Sequence, residues 1–255
     1  VGIAEGHAVA MAAGMAKQGM LPVFAVYDSF LQRGYDMLMQ DVSLDGLHVV
    51  LAVDRTGLVG ADGETHHGCM DYLSQIPGMT VLCPASFAEL RHMLRTALYE
   101  CTGPVAVRYP RGGEGTYRDD CGDAPVSVLR PGADVCIVTY GVLVDQALAA
   151  AEQLAKEHIA ARVVKLNCAA PLDMDTVCAA LDGARRLVVL EDQLRQCCVG
   201  QRLAAALLER GAAPEKLRLL NAGEILPAQG SVEQLYRALG LDADGVSAAV
   251  REVLA

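Results

Sequence analysis

An uninterrupted apolar run, LHVVLAV at Leu47–Val53, is the feature of this sequence that most constrains its fold. Such runs are typical of strands buried on both faces of a parallel sheet. The chain continues with DRTGLVGADGETHHG, a segment with one arginine, several carboxylates, two adjacent histidines and four glycines. Open α/β sheets bind ligands in the loops at the carboxyl ends of their strands, and glycines let a backbone approach a ligand closely. The sequence therefore predicts a ligand-binding loop here, suited to a small anionic substrate that undergoes proton transfer.

Short apolar runs alternate with helical patterns along the rest of the chain. The predicted strands are Leu21–Val26, Leu47–Val53, Thr80–Cys83, Val105–Arg108, Asp134–Tyr140, Ala161–Leu166, Leu187–Glu191 and Leu217–Asn221. The predicted helices are Glu5–Gln18, Phe30–Leu44, Ser86–Glu100, Val142–Glu157, Val199–Arg210 and two more near the C-terminus. Strands that alternate with helices predict parallel pairing with right-handed crossovers, and hence an α/β fold.

The length and one irregular segment suggest how this fold is divided. A chain of 255 residues is long enough for two modest α/β domains. The segment Gly112–Gly132 is rich in Gly, Asp and Pro and has no clear period. We expect a first three-layer domain at residues 1–115, a linker at 116–132 and a second three-layer domain at 133–255.

The composition excludes several classes of protein. A net charge of −10 and a pI near 5.0 argue against a nucleic-acid-binding surface, which needs a basic stripe. No signal peptide and no apolar run of membrane-spanning length is visible. The nine cysteines include no C-x-x-C pair, and the adjacent Cys197 and Cys198 do not readily bridge to each other. We expect a cytoplasmic protein with neither a nucleic-acid nor a membrane partner.

Several sequence blocks resemble one family. They are VGIAEGHAVAMAAGMA at the N-terminus, VYDSFLQRGYDMLMQDV, the loop DRTGLVGADGETHHG, VRYPRG, and LPAQGSVEQLYRALGLDADGV near the C-terminus. Together they resemble the 1-deoxy-D-xylulose-5-phosphate synthases, thiamine diphosphate enzymes of the transketolase group. The resemblance implies a pyrimidine-binding domain, incomplete at its N-terminus, followed by a transketolase C-terminal-like domain.

The resemblance implies that this chain holds the pyrimidine end of thiamine diphosphate. Glu5 is expected to hydrogen-bond N1′ of the aminopyrimidine and so to activate the cofactor. Phe30 is expected to stack on that ring, and Tyr27 to line the same pocket with its hydroxyl towards the substrate. From spacing alone, Glu5 also fits a first-turn carboxylate that favours the helix dipole, and Phe30 an ordinary core residue.

The resemblance also implies a substrate site. Arg55 and Arg111 each follow a predicted strand and are expected to bind the phosphate of the acceptor, since a guanidinium forms paired hydrogen bonds with phosphate. Asp62 and His66 are expected to contact the hydroxyls and the aldehyde, with His66 assisting proton transfer. Surface salt bridges and a hydrated loop are the alternatives, and no metal site is predicted, because two adjacent histidines rarely chelate one ion. Arg33 is a weaker candidate that also fits an ion pair with Asp36.

Two positions depart from the family pattern. The family usually has Glu-Gln-His where this chain has Glu5-Gly6-His7. A Gly-rich turn normally follows the acidic pair that corresponds to Glu191-Asp192, and this chain continues with LRQCC instead. The second departure argues against a ligand role for the second domain, which we expect to support packing and dimerisation.

The activity implied is the condensation of pyruvate with D-glyceraldehyde 3-phosphate with loss of CO₂. No G-D-G motif followed by Asn is found to hold Mg²⁺ and diphosphate, and the chain opens on Val1 within the family domain. We therefore expect a fragment or one subunit of a split enzyme, a homodimer that lacks turnover without an N-terminal diphosphate-binding domain, which would supply the Mg²⁺ site. The alternatives are a C-terminal transketolase subunit, the beta subunit of a 2-oxo-acid dehydrogenase, or a non-catalytic dimerisation half.

Overall fold

The structure is a computed structural model that describes residues 1–196 and 198–255, so Cys197 lies outside the described residues. The strands are β1 Val23–Tyr27, β2 Val50–Asp54, β3 Thr80–Leu82, β4 Val105–Arg108, β5 Val126–Arg130, β6 Val135–Thr139, β7 Ala161–Leu166, β8 Cys168–Ala170, β9 Arg186–Leu190 and β10 Lys216–Leu220. The helices are α1 Glu5–Lys17, α2 Asp28–Leu31, α3 Tyr35–Met37, α4 Phe87–Tyr99, α5 Val144–Ala155, α6 Met174–Leu181, α7 Val199–Glu209, α8 Val232–Leu239 and α9 Ala243–Leu254. None of the described helices is both long and apolar enough to cross a membrane.

The predicted α/β fold is confirmed, with two five-stranded sheets. The first has the order β1-β2-β4-β3-β8 and the second the order β10-β9-β6-β7-β5. The central pairs of both sheets are parallel, as predicted. One edge pair in each sheet is antiparallel, β3 with β8 and β5 with β7, and each of these pairs includes a strand that was not predicted.

The first sheet takes its fifth strand from the second half of the chain. Strand β8 follows β7 of the second sheet after a single residue, yet pairs with β3 of the first. One apolar cluster runs across both sheets, with Val53 and Val81 from the first and Val138 and Val189 from the second, all fully or almost fully buried. The two sheets therefore share a core and stabilise each other.

The helix predicted at Phe30–Leu44 is interrupted. The chain forms α2, a 3-10 turn at Gln32–Gly34, α3 and a π-helix at Leu38–Ser43. At Gly34 a side-chain Cβ would lie 2.9 Å from Val9 of α1, so this glycine allows the close approach of the two segments. The tighter turn at Gln32–Gly34 carries Arg33 towards the start of α1.

The predicted linker at 116–132 contains strand β5, which pairs with β7. The second sheet thus begins inside this segment, while the domain limits at 115 and 133 stay a prediction. Ahead of β5, the segment is fastened to α4 by His92, whose ring nitrogens contact Asp123 at 2.7 Å and Asp120 at 3.3 Å. The hydrogen bond with Asp123 raises the pKa of His92, and the charges of Asp120, Asp123 and Glu100 add to the rise.

The His92 contact predicts a pH-dependent contribution to stability. Because the pKa is higher in the folded chain than the ordinary value near 6.5, the contribution is complete below about pH 6.5 and is lost as the pH rises through the folded-state pKa. We expect His92→Gln to lower the free energy of unfolding more at pH 5.5 than at pH 9 in urea titrations. His7→Gln, at an exposed position of α1, is the control, and an equal loss at both pH values would contradict the prediction.

Candidate functional site

The predicted ligand-binding loop lies at the carboxyl end of β2 and is closed on itself. Gly57 and Gly68 exchange two backbone hydrogen bonds of 2.9 Å, so residues 57–68 form a loop with a narrow neck, here named the 57–68 loop. Two 3-10 turns within it, Gly60–Asp62 and Glu64–His66, are joined by Gly63 with φ of 80°. That left-handed conformation favours glycine and lets the chain turn between Asp62 and His66.

Arg55 stands between the strand and this neck in a strained conformation. Its φ is 59°, a region that non-glycine residues rarely adopt, and its backbone N–H donates a 2.7 Å hydrogen bond to the Asp54 carboxylate. Strain of this kind costs about 1–3 kcal/mol and persists where the surroundings fix the residue. The conformation directs the guanidinium across the end of β1.

The two predicted phosphate-binding arginines meet at one carboxylate. Arg55 Nη1 donates to Asp62 at 2.5 Å, and Arg111 Nη1 pairs with the other oxygen of Asp62. Arg55 Nη2 also donates to the Tyr27 hydroxyl at 2.8 Å, and its guanidinium lies 4.1 Å from the Tyr27 ring centroid. The hydrogen bond with Tyr27 raises the pKa of Arg55, and the charge of Asp62 adds to the rise. The two guanidinium groups thus lie close together, and Asp62 occupies the Nη1 donor of each.

Glu5 lies at the first turn of α1 with only 5% of its surface exposed. Its Oε1 accepts a 2.8 Å hydrogen bond from Arg33, while Oε2 is buried and has no hydrogen-bond partner among the described residues. Arg33 therefore pairs with Glu5 and not with Asp36. The free Oε2 suits a buried ligand that donates a hydrogen bond, and this fits the aminopyrimidine expected there.

Gly6, where the family usually has glutamine, packs against Met37. A Cβ at Gly6 would lie 3.1 Å from Met37 Cε and 3.2 Å from its sulfur. The thioether is a flexible side chain that fills irregular gaps, so here it occupies space beside the glycine. At this departure from the family sequence, the Met37 side chain thus fills the space beside Gly6, next to Glu5 in the first turn of α1.

Phe30 joins the cofactor residues to the substrate residues. Its ring centroid lies 5.4 Å from that of Tyr27 and 5.3 Å from that of His66, which meets it edge-on. The Arg33 guanidinium lies 4.9 Å from the Phe30 centroid. All predicted site residues thus belong to one connected group of side chains: Glu5, Tyr27, Phe30, Arg55, Asp62, His66 and Arg111.

A cavity of about 370 Å³ opens beside the paired arginines, between the strand ends of the first sheet and Val142 of the second half. Arg55 and Arg111 line it together with Ser86 and Tyr109. Cations at the edge of a cavity of this size suit a small ligand with an anionic group. No group of described residues has the arrangement of a metal site.

Sequence reasoning missed the residues that support the neck of the loop. Asp28 and Arg108 form a fully buried ion pair at 2.9 Å, and Arg108 also donates to the Gly68 carbonyl at 3.3 Å. Burial raises the pKa of Asp28, and the Arg108 charge offsets part of that rise. His67 is buried too, and its Nδ1 accepts from the Val59 N–H at 3.0 Å. This bond makes His67 an internal support of the loop, whereas its neighbour His66 faces Phe30.

Comparisons with known proteins agree with this arrangement. The chain matches the family model for the transketolase pyrimidine-binding domain over residues 1–113 and that for the transketolase C-terminal domain over residues 124–246. It belongs to the transketolase family and carries these two domains in this order. Within the family it is similar to 1-deoxy-D-xylulose-5-phosphate synthases over nearly its whole length.

Three of these synthases illustrate the likeness. The enzyme from Chlorobium luteolum is 42% identical over 99% of this chain and 41% of its own length. That from Anaeromyxobacter sp. strain Fw109-5 is 44% identical over 100% and 42%, and synthase 1 of Geobacter metallireducens is 43% identical over 98% and 41%. The chain thus spans about two fifths of the length of the curated relatives it matches.

A solved structure described as a split gene transketolase, inactive β4 tetramer, superposes with a TM-score of 0.86 at 27% identity. It covers 100% of this chain, which spans 82% of that one. The predicted two-domain transketolase-like fold is confirmed by this likeness and by the two family models.

The buried ion pair at the neck predicts a large effect of Arg108→Met on stability. Removing one partner of a buried pair leaves an uncompensated charge and costs about 3–5 kcal/mol. We expect a loss of this size in urea unfolding at pH 7, and a smaller one at acidic pH because Asp28 then takes up a proton. Arg210→Met, which breaks an exposed pair with Asp175, is the control and should cost less than about 1 kcal/mol. Equal losses for the two variants would contradict the role of the buried pair.

Proposed function

We propose that this chain forms the pyrimidine-binding and acceptor-binding parts of a 1-deoxy-D-xylulose-5-phosphate synthase. The reaction is the condensation of pyruvate with D-glyceraldehyde 3-phosphate with loss of CO₂. The observation that carries the proposal is the connected group of side chains from Glu5 to Arg111, which joins a buried free carboxylate oxygen to a pair of guanidinium groups. The identity of 41–44% to synthases over nearly the whole chain supports the same reaction.

In this proposal, Glu5 and Phe30 hold the pyrimidine end of thiamine diphosphate. Glu5 Oε2 has no partner within the described residues and would share a proton with N1′ of the aminopyrimidine, while Phe30 stacks on the ring. The bound cofactor would supply a nucleophilic carbon and a cationic thiazolium ring that serves as an electron sink. Arg33 donates a 2.8 Å hydrogen bond to Oε1 of Glu5 and so holds the carboxyl group in place, with Oε2 left for the pyrimidine.

The acceptor would bind at the paired arginines. Arg55 and Arg111 take the phosphate, and Asp62 then turns from the arginines towards a hydroxyl of the acceptor. His66, edge-on to Phe30, lies between the cofactor and acceptor parts of the site and would donate a proton to the aldehyde oxygen as the new bond forms. Tyr27, held by Arg55, orients the substrate on the same side.

The other half of the cofactor site belongs to a diphosphate-binding domain, on the same polypeptide or on another. We expect that domain to bring Mg²⁺, and we expect the assembled enzyme to be a homodimer in the cytoplasm. The inactive tetramer of the split gene transketolase, which superposes on the whole of this chain, supports the view that these two domains lack turnover by themselves.

Reconstitution tests the proposal. Product formation from pyruvate and D-glyceraldehyde 3-phosphate is measured with thiamine diphosphate and Mg²⁺, for this chain alone and with a diphosphate-binding domain added. We expect turnover only with the added domain and weak cofactor binding without it. Turnover by the chain alone, or tight binding in calorimetry without the domain, would contradict the prediction.

Glu5→Gln in the reconstituted enzyme should lower kcat/KM by about 10²-fold or more, because the amide cannot exchange the proton. Glu209→Gln, at an exposed position of α7, is the matched control. Full activity of Glu5→Gln would instead favour a non-catalytic half.

Asp62 competes with the substrate phosphate for the two arginines, and this predicts a gain of affinity on its removal. Asp62→Asn should bind inorganic phosphate about tenfold more tightly in calorimetry on this chain, since a hydrogen bond to a charged group contributes about 1.5 kcal/mol. Adding Arg111→Met should abolish the gain. Unchanged or weaker phosphate binding by Asp62→Asn would show that the arginines do not form a phosphate site.

A C-terminal transketolase subunit is the second candidate, favoured by the structural likeness to the split gene transketolase. Its donor would be a ketose phosphate instead of pyruvate. Release of CO₂ from labelled pyruvate in the reconstituted enzyme separates the two, because only the synthase reaction releases it. A dehydrogenase beta subunit would instead require a lipoyl acceptor.

A further inference from the structure

Both glycines at the neck of the 57–68 loop lie against carboxyl groups from opposite halves of the chain, the buried Asp28 and the partly buried Asp192. A Cβ at Gly68 would lie 2.8 Å from the carboxyl of Asp28, in the first half. At Gly57 it would lie 1.8 Å from the carboxyl of Asp192, which follows β9 of the second sheet. Burial raises the pKa of Asp192, and the nearby backbone N–H of Leu58 offsets part of that rise. The second half of the chain therefore contacts the neck directly through Asp192, which is not one of the predicted site residues.

The loop is held by the second half at further points. The side chains of Leu58 and Cys69 are buried in the apolar cluster between the second sheet and helices α5 and α9. The Leu194 N–H donates a 2.7 Å hydrogen bond to the Cys69 carbonyl. At the tip, Gln229 Nε2 donates to the Ala61 carbonyl at 2.9 Å, one residue before Asp62.

From these contacts we propose that the second domain positions the acceptor-binding loop, through Asp192 at the neck and Gln229 at the tip. Neither residue touches the reacting atoms, so both are positioning residues. The inference rests on the proposed function, because it takes the 57–68 loop to bind the phosphorylated acceptor. A loop fixed at both neck and tip keeps Asp62 and His66 within reach of the acceptor, and this order in the free enzyme lowers the entropy lost on binding the acceptor.

Glu191, the residue before Asp192, provides a matched comparison. The carboxyl group of Glu191 is buried. It accepts hydrogen bonds from the Tyr140 hydroxyl and from the N–H groups of Val199 and Gly200. These bonds cap helix α7 and lie away from the 57–68 loop. Glu191 therefore caps helix α7, whereas the next residue, Asp192, lies against the neck of the 57–68 loop.

The experiment compares Asp192→Ala with Glu191→Ala, and with Asp192→Asn, which keeps an oxygen for the Leu58 N–H. Amide hydrogen exchange of residues 57–68 is measured on this chain, and KM for each substrate on the reconstituted enzyme. We expect Asp192→Ala to speed exchange in the loop and to raise KM for D-glyceraldehyde 3-phosphate about tenfold, with a smaller change for pyruvate. Asp192→Asn should restore most of the protection, and Glu191→Ala should lower stability without separating the two KM values.

Gln229 is exposed, so Gln229→Ala tests the idea in a variant that retains its core. It should raise the acceptor KM several-fold at unchanged stability, whereas Glu224→Ala, on the same segment and paired with Arg195, should not. Equal changes in both substrate KM values, or equal loop exchange in Asp192→Ala and Glu191→Ala, would overturn the inference. If the wild-type enzyme forms no product, the proposed function fails. Two measurements on this chain, amide hydrogen exchange of residues 57–68 and binding of inorganic phosphate, then still decide whether Asp192 and Gln229 position the loop.

Discussion

The arrangement of the site depends on the ion pair between Asp28 and Arg108. Arg108 ends β4 and Asp28 begins α2, so the pair ties the centre of the first sheet to the segment that carries Phe30 and Arg33. Arg108 also donates to the Gly68 carbonyl, and so fastens one side of the loop neck. Both side chains are removed from water, where an unpaired charge is costly, and each is therefore held in place by the other. The ion pair therefore fixes how the segment with Phe30 lies relative to the neck of the 57–68 loop.

The second domain supports the 57–68 loop of the first domain. The sequence departure after Glu191-Asp192 argued against a ligand role there, and the contacts of these two residues give the pair a different use. Glu191 caps a helix, and Asp192 lies against the backbone of the first domain's loop. A loop rich in glycine has high conformational freedom, so fixing it requires contacts from outside itself. In this chain the second domain supplies contacts to the loop. The two domains also share one continuous core.

Much of the fold could be predicted from the sequence because its signals are local. Apolar runs identified the central strands, and the helix predicted from Ser86 begins at Phe87, with the Ser86 side chain accepting from the Glu89 N–H as its cap. Strands β5 and β8 were missed: both are antiparallel edge strands, and β5 lies in a segment rich in Gly, Asp and Pro. The predicted helix at Phe30–Leu44 showed helical spacing, but the close packing of α1 at Gly34 interrupts it.

The site shows the same division. Its residues were found from the resemblance, and their contacts now connect them. The pairing of Arg33 with Glu5 instead of Asp36 joins residues 28 positions apart, which spacing within one helix cannot reveal. The supporting residues Asp28, Arg108 and His67 carried no sequence signal beyond their presence in family blocks, because burial alone gives them their roles.

The pairing of strand β8 with β3 limits how the two domains can be separated or exchanged between proteins. It reaches from the second half of the chain to close the side of β3 in the first sheet. A cut between the domains would leave β3 with a row of unpaired backbone groups, which is the kind of edge that recruits strands from other molecules. The two family domains are therefore not interchangeable modules. A recombinant first domain expressed by itself would be prone to aggregate, and exchange with a related protein must carry both domains across together.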